Sequence, residues 1–376
     1  MRLKLFLLFS LTLALSGAAA RADLSFVLTP SVRVSARSNE VFFAGILSNT
    51  DPTNNLYLNA IQFIANSNFT PDTNAFYANV PGILSAGQTY SDVVFGVTIN
   101  PTTPAGDYFG AVTILGGSNI FAASNLATLP FQISTIDVSI QANVADAYKF
   151  GAQPGSFVVT CVGGSDLGLV VNYAISGTAS NGVNYSSITN YVTSADSTPS
   201  NIAIIPLADG GVEGDKTVVL TLFNSTAYNL AAPISATVTI HDTPFNAWLL
   251  TEFGTNANNA AISGDLTDPD TDGIVNLLEY ALNLNPNVAS GTGLPTAQID
   301  PACGCLTLTY TKVLSAIDLN YTVEAANDPG GPWSTNGLTQ AVLGSDGVTQ
   351  TNKASDAGNP IATSGKRFIQ LRVIRQ

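Results

Sequence analysis

Short apolar runs separated by turn-forming residues recur along the chain and constrain its fold more than any other feature. In the N-terminal third, such runs occupy residues 41–47, 56–64, 93–99 and 108–115. Pairs such as Pro81-Gly82 interrupt them and favour tight turns. Runs of this length and spacing, rich in β-branched and aromatic residues, are typical of β-sandwiches. The sequence therefore predicts a mostly β chain of tandem immunoglobulin-like sandwiches.

The turn signals and a change of periodicity divide the chain into successive segments. We predict β-sandwiches at residues 24–134, 135–242 and 287–376, with a helical calcium-loop insert at 243–286. Apolar residues make up 45% of the chain, which is enough to give each sandwich its own core.

The N-terminal 22 residues have the features of a signal peptide. Arg2 and Lys4 precede the apolar run 5–15, and the small residues Ala18 to Ala20 follow it. That order is typical of an export signal, and the run is too short to span a bilayer. We therefore expect a secreted protein without a transmembrane segment, located outside the cell or on its surface, with the periplasm as the alternative.

The charge distribution argues against nucleic acid as a partner. The net charge is −13, and only 10% of the residues are charged. No Lys or Arg lies between Arg37 and Lys149, or between Lys216 and Lys312. Neutralising phosphates requires clustered basic side chains, so we exclude nucleic-acid binding. An acidic surface suits divalent cations better.

The three cysteines, Cys161, Cys303 and Cys305, do not indicate a disulfide-dependent fold. Their odd number leaves at least one thiol outside any intramolecular pair. Cys303 and Cys305 can close a small disulfide, or both can be reduced.

The second segment carries a more specific pattern. Its strand-like runs are separated by Asn181-Gly182-Val183-Asn184-Tyr185 and by Val212-Glu213-Gly214-Asp215, and it ends in Ile240-His241-Asp242. Over about 105 residues this order resembles the Calx-β family, a sandwich module of sodium–calcium exchangers and of many bacterial surface proteins. The resemblance implies a Calx-β-like sandwich for residues 135–242.

The calcium sites of that family carry over less well than its fold. Lys149, Asn184 and Lys216 stand where the family usually has carboxylates. Hard dications prefer charged oxygen ligands, so we expect this module to fold without calcium. The carboxylates that remain as weak ligands are those of Asp146, Asp209, Glu213 and Asp215.

A helical insert follows the second sandwich. Thr243 or Asp242 can cap a helix that begins at Pro244 and ends at Gly254. Residues 255–263 are rich in Asn and Ala and are expected to form a loop.

The segment 268–279 is the most specific motif of the chain. It fits a twelve-residue calcium loop at each diagnostic position. Gly273 permits the sharp bend, and the six predicted ligands are Asp268, Asp270, Asp272, the Ile274 carbonyl, Asn276 and Glu279. The alternative is a solvated turn in which Asp272 caps the following helix. Repulsion among three neighbouring carboxylates favours a bound calcium ion.

This segment resembles the Asp-rich loop and helix of dockerins and of EF-hand-like bacterial linkers. With the sandwich that follows, the order also resembles the C-terminal region of large secreted proteins from Verrucomicrobia-like bacteria. A single loop, without a paired EF-hand, implies a structural role for the ion.

Catalytic signatures are missing from the sequence. The single histidine, His241, has no accompanying nucleophile motif, and the His and Cys content is too low for a zinc site. We therefore predict that the chain is not an enzyme. Two functions remain: a calcium-binding structural or adhesive cell-surface protein, and a carbohydrate-binding protein that uses Trp333 or tyrosines. Cell-wall or extracellular polysaccharide and another surface protein are the corresponding partners.

Overall fold

The computed structural model describes residues 23–164, 168–194, 198–208, 210–361 and 365–376. The proposed signal peptide and Asp209 lie outside these residues. The chain is built mainly of β-strands, and the predicted mostly β class of tandem sandwiches with a short helical insert is confirmed.

The first module covers residues 23–134. Its sheets have the orders β1-β3-β7-β5 and β9-β8-β4-β6, and β2 pairs with β9. The elements are β1 (Leu24–Leu28), β2 (Val32–Val34), β3 (Glu40–Asn49), β4 (Leu56–Ile64), β5 (Phe69–Asp72), α1 (Asn74–Asn79), β6 (Ile83–Leu84), β7 (Thr89–Ile99), β8 (Gly106–Gly117) and the first part of β9 (Ser124–Val144).

The core of the first module lies between these two sheets and centres on an aromatic cluster. The Phe131 ring lies 5.1 Å from that of Phe43, 5.3 Å from Phe95 and 5.6 Å from Phe69, measured between centroids. These separations are typical of attractive aromatic pairs. Alternate residues of β9 point inward because side chains on a strand alternate between its two faces.

The second module continues from the same strand. Its sheets have the orders β10-β17-β15-β12-β13 and β14-β11-β9, and β16 also pairs with β9. The further elements are β10 (Asp146–Tyr148), β11 (Gly155–Gly163), β12 (Leu169–Ser176), β13 (Tyr191–Ser194), β14 (Ser200–Ile204), β15 (Lys216–Leu222), β16 (Asn229–Leu230) and β17 (Ser235–His241). Cys161 is buried in its core.

Strand β9 joins the first and second modules without a break. It pairs with β8 from Ser124 to Thr135 and with β11 from Ile136 to Val144. The predicted boundary after residue 134 falls inside this strand. An ion pair between Arg37 and Asp137, with a 2.6 Å contact, adds a side-chain link across the same place.

The helical insert contains α2 (Pro244–Phe253), α3 (Ala260–Ser263) and α4 (Asn276–Leu282). As the sequence indicates, Thr243 caps α2 by accepting a hydrogen bond from the Asn246 N–H, and Gly254 ends the helix. Residues 255–263 are not wholly a loop, because the Asn259 side chain caps α3. This correction reflects local capping that composition does not reveal.

The third module is a smaller sandwich. Its sheets have the orders β18-β19-β22-β21 and β20-β23. The strands are β18 (Thr296–Asp300), β19 (Cys305–Val313), β20 (Leu319–Ala326), β21 (Thr339–Ser345), β22 (Thr349–Ser355) and β23 (Phe368–Arg375). Cys303 and Cys305 form a disulfide at the start of β19.

The helical insert packs on the third module through a shared core. Phe245 and Tyr280 of the insert lie in one apolar cluster with Val313 and Leu319. The buried Asp318 accepts hydrogen bonds from the Phe245 N–H and the Tyr280 hydroxyl, both at 2.8 Å. These contacts fix the position of α4 and therefore of the loop before it.

We expect the aromatic centre of the first module to be a main source of its stability. Phe131 is 2% exposed, and Phe131→Ala should destabilise the protein by about 3–5 kcal/mol because it leaves a cavity. Phe109, on the neighbouring strand, is 64% exposed, and Phe109→Ala should change stability by about 0.5 kcal/mol or less. Urea unfolding followed by circular dichroism measures both, and equal effects would contradict this assignment of the core.

Candidate metal centre

The loop between α3 and α4 folds tightly around its own carboxylates. Asp268 accepts hydrogen bonds from the backbone N–H groups of Asp272, at 3.2 Å, and Gly273, at 2.8 Å. Gly273 has the predicted positive φ, 91°, and Thr271 also lies in the left-handed region with φ 61°. The backbone therefore turns sharply enough to bring alternate side chains to one place.

Three of the six predicted ligands meet directly. One carboxylate oxygen from each of Asp268, Asp270 and Asp272 lies within 4.8 Å of the other two. Glu279 does not belong to that group. Asp272 does not cap α4, since the capping position is Val275 and no side chain bonds to the first turn. The part of the alternative prediction in which Asp272 caps this helix is therefore wrong.

Glu279 is the most unusual residue near the loop. Its side chain is fully buried, and neither carboxylate oxygen has a hydrogen-bond partner. Burial, followed by the charges of Asp270, Asp272 and Asp268, raises the pKa of Glu279 to about 7. A buried carboxylate without a donor is strongly unfavourable when charged. The position of Glu279 therefore requires a nearby positive charge or a proton.

Asn276, like Glu279, has a buried side-chain oxygen that could bind a cation. Its amide nitrogen donates to the Ile262 and Gly264 carbonyl oxygens, each at 2.9 Å, and to Thr267 Oγ1 at 2.7 Å. Its Oδ1 atom is buried without a hydrogen-bond partner. The two N–H groups share these three acceptors, which fixes the amide so that Oδ1 remains free to accept.

Of the two other loop aspartates, Asp272 accepts hydrogen bonds at both carboxylate oxygens, whereas Asp270 has one oxygen without a partner. The Ile274 N–H donates to Asp272 Oδ1 at 2.8 Å, and the Ser290 N–H donates to Asp272 Oδ2 at 2.7 Å. Asp270 Oδ2 is buried without a partner, and burial is the main cause of the raised pKa of Asp270.

The residues present fit a hard cation. In the part of the chain that the structure describes, no Lys or Arg forms an ion pair with any of the four acidic residues of the loop. The buried oxygens of Asp270, Asn276 and Glu279 lack hydrogen-bond partners. Carboxylate, amide and carbonyl oxygens are the ligands that calcium prefers.

Sequence reasoning missed the residues that brace this site. Thr267, with the carbonyl groups of Ile262 and Gly264, orients Asn276, and Ser290 reaches Asp272 from beyond α4. No motif marks these contacts, because several of them use only the backbone.

The second module contains a different acidic cluster, which holds its own cations. Lys149 Nζ lies 3.6 Å from Glu213 and 3.7 Å from Asp242, and Lys216 Nζ lies 2.9 Å from Glu213. The Lys149 side chain is only 4% exposed. Asn184 donates to Glu213 at 2.9 Å. The three substituted positions thus meet at a single carboxylate.

His241 lies between Asp146 and Asp215, the other two described carboxylates that the sequence leaves as weak calcium ligands. Its Nδ1 atom lies 2.7 Å from Asp215 and its Nε2 atom 2.8 Å from Asp146. The Tyr148 ring stacks on the imidazole. Partial burial alone would lower the pKa of His241, but the two carboxylates outweigh it and the pKa is raised.

Comparison with known proteins yields structural likeness only. No family model and no curated protein matches the sequence. The apo form of the Calx CBD1 domain is 23% identical, with 28% of this chain and 96% of that domain covered and a TM-score of 0.24. The adhesin InvE of Yersinia pseudotuberculosis is 15% identical over 59% of this chain and 61% of its own, with a TM-score of 0.25.

The D00-D0 domain of intimin is also similar. It is 14% identical, with 58% of this chain and 100% of that domain covered and a TM-score of 0.26. TM-scores of this size are too low to assign a function or a site.

The contacts of His241 with Asp146 and Asp215 predict a pH-dependent stability of the fold. Because the pKa is raised in the folded state, charged His241 stabilises the fold below its unfolded pKa of about 6.5. That contribution is lost as the pH rises through the higher folded pKa. Wild type and His241→Gln should therefore differ most in urea midpoint at acidic pH, where His241 is charged in both states, and should converge at higher pH. A constant difference across this range would contradict the assignment.

Proposed function

We propose that this chain is a secreted, non-enzymatic structural protein of a bacterial cell surface. Its tandem β-sandwiches act as spacers, and one calcium ion fixes the helical insert. The calcium proposal rests on Glu279. Its side chain is fully buried near three clustered aspartates, and neither of its carboxylate oxygens has a hydrogen-bond partner among the described residues. A cation neutralises this group where no basic side chain does.

The proposed ligands are the side chains of Asp268, Asp270, Asp272, Asn276 and Glu279, with the carbonyl oxygen of Ile274. Calcium is favoured over magnesium because it accepts six to eight oxygen ligands in flexible geometry, whereas magnesium needs a near-ideal octahedron. Extracellular calcium modules bind with dissociation constants on the order of 0.1–1 mM, which suits an exported protein.

The contacts of the loop support a structural role for the ion. Tyr280, the residue after Glu279, donates to the buried Asp318 of the third module. On the other side of the loop, Asp265 forms an ion pair with Arg375 at 3.3 Å. Ordering residues 268–279 therefore helps to order two of the contacts that hold the insert against the third module.

The surface location is supported by the composition and by the leader-like first 22 residues. Among the described residues, no helix is both long and apolar enough to cross a membrane. Both tryptophans, Trp248 and Trp333, are partly buried, and Trp248 packs against the core shared by the insert and the third module. This favours a spacer or adhesive role over a sugar-stacking platform. The proposed partners are cell-wall components or another surface protein.

The calcium proposal predicts opposite effects of one substitution in two conditions. Glu279→Gln removes the buried charge with little change of shape. In chelator the variant should therefore be at least as stable as wild type. In calcium at a hundredfold excess over the dissociation constant, wild type should gain roughly 2.7 kcal/mol, and the variant should gain much less. Thermal melting of the purified chain with and without calcium measures both.

Thr271→Ala is the matched control, because the Thr271 side chain is exposed and donates only to the Asp270 carbonyl. It should retain the calcium response. Protease cleavage within residues 264–280 should also slow when calcium is added. If wild type shows neither a calcium-dependent melting shift nor this protection, the loop binds no ion.

The export proposal predicts that residues 1–22 direct the chain out of the cytoplasm. In bacterial cell fractionation, the full chain should appear in the envelope or medium, and a chain that lacks these residues should stay in the cytoplasm. Equal distribution of the two would contradict export through this segment.

A further inference from the structure

The second module brings an amine, a carboxamide and a carboxylate together beneath its surface. Lys149 follows β10, Asn184 lies between β12 and β13, and Glu213 precedes β15. The side chain of Lys149 is 4% exposed, and Asn184 is 2% exposed. Glu213 is more accessible, with 32% of its side chain exposed. Three separate segments of the chain therefore meet at a site where the amine and the carboxamide are closed to water and the carboxylate reaches the surface.

These groups converge on a single oxygen atom. Glu213 Oε2 accepts a hydrogen bond from Asn184 Nδ2 at 2.9 Å and lies 3.6 Å from Lys149 Nζ. The carbonyl oxygen of the same carboxamide, Asn184 Oδ1, accepts a hydrogen bond from the Ser180 N–H at 2.8 Å. The amide is thus polarised at its oxygen and has a proton carrier beside its nitrogen.

We propose that Lys149 and Asn184 become joined by an intramolecular isopeptide bond. Glu213 takes a proton from the Lys149 ammonium group, and the neutral Nζ attacks Cγ of Asn184. The negative charge that develops on Oδ1 is stabilised by the Ser180 N–H, as in other acyl transfers. Glu213 then gives its proton to Nδ2, the Cγ–Nδ2 bond breaks, and ammonia leaves with the second proton of Nζ as an ammonium ion.

The reaction balances without any other reagent. One ammonium side chain and one carboxamide give one secondary amide and one ammonium ion. The burial of Lys149 and Asn184 favours it in two ways: it favours the neutral amine over the ammonium group, and exclusion of water disfavours hydrolysis of the product. The product would tie β10 to the loop after β12 and restrict the unfolded chain, as a disulfide does.

Lys216 provides a matched control within the same cluster. Its Nζ lies 2.9 Å from the other oxygen of the carboxylate, Glu213 Oε1, and its side chain is 21% exposed. Lys216 contacts the oxygen of Glu213 that does not accept from Asn184, so it should remain a free amine.

The test is peptide mass analysis of the full chain after reduction and digestion with trypsin. Arg37, Lys149 and Lys216 are successive cleavage sites. An acylated Lys149 resists trypsin, so residues 38–216 should appear as one peptide that is lighter than expected by the mass of one ammonia. Fragmentation should place the loss at Lys149 and Asn184. Deamidation-type loss at Asn181-Gly182 would leave cleavage after Lys149 intact.

In the variants Lys149→Arg and Glu213→Gln, trypsin should cut after residue 149 and the peptides should show no loss of ammonia. Lys216→Arg should keep the link. The wild-type digest decides the question even if a variant fails to fold. Release of an unmodified peptide 150–216 from wild type would overturn the proposal and leave the cluster as a set of ion pairs.

Discussion

The pairing of backbone groups along β9 is the constraint on which the arrangement of the first two modules depends. A strand of 21 residues has N–H and C=O groups that must find partners along its whole length. It finds them with β8 in the first module and with β11 in the second. Because one strand serves both sandwiches, a rotation between them would break its hydrogen bonds or bend its backbone. The two cores remain separate, but their relative position is set by a shared element.

The class of fold and the position of the acidic loop could be predicted from the sequence, because both depend on local patterns. The cap at Thr243 and the bend at Gly273 depend on a few neighbouring residues. The continuity of β9 could not be predicted, since Ser134 and Thr135 look like a turn and are buried polar residues of a strand. The hydrogen bonds that orient Asn276 could not be predicted either, because their acceptors include backbone carbonyl groups of residues that belong to no motif.

The chain deals with buried negative charge in two contrasting ways. In the second module, Lys149 and Lys216 place side-chain nitrogens of the chain itself beside the carboxylates of Glu213 and Asp242. In the helical insert, Glu279 has neither an ammonium group nor a hydrogen-bond donor. The first arrangement is complete once the chain has folded. The second remains unfavourable until a cation or a proton from solution neutralises Glu279. The two acidic regions therefore differ in the source of their positive charge despite their similar composition.

The small third core has a consequence for a chain held at both ends. Its buried centre consists of Leu308, Tyr310, Val323 and Ala354, whereas the first two modules enclose much larger apolar clusters. Among the described residues, β23 pairs with β20 alone. Under tension this module has the fewest apolar contacts to lose, so it would open and lengthen first. The chain would then lengthen in the third module while the double sandwich around β9 kept its length.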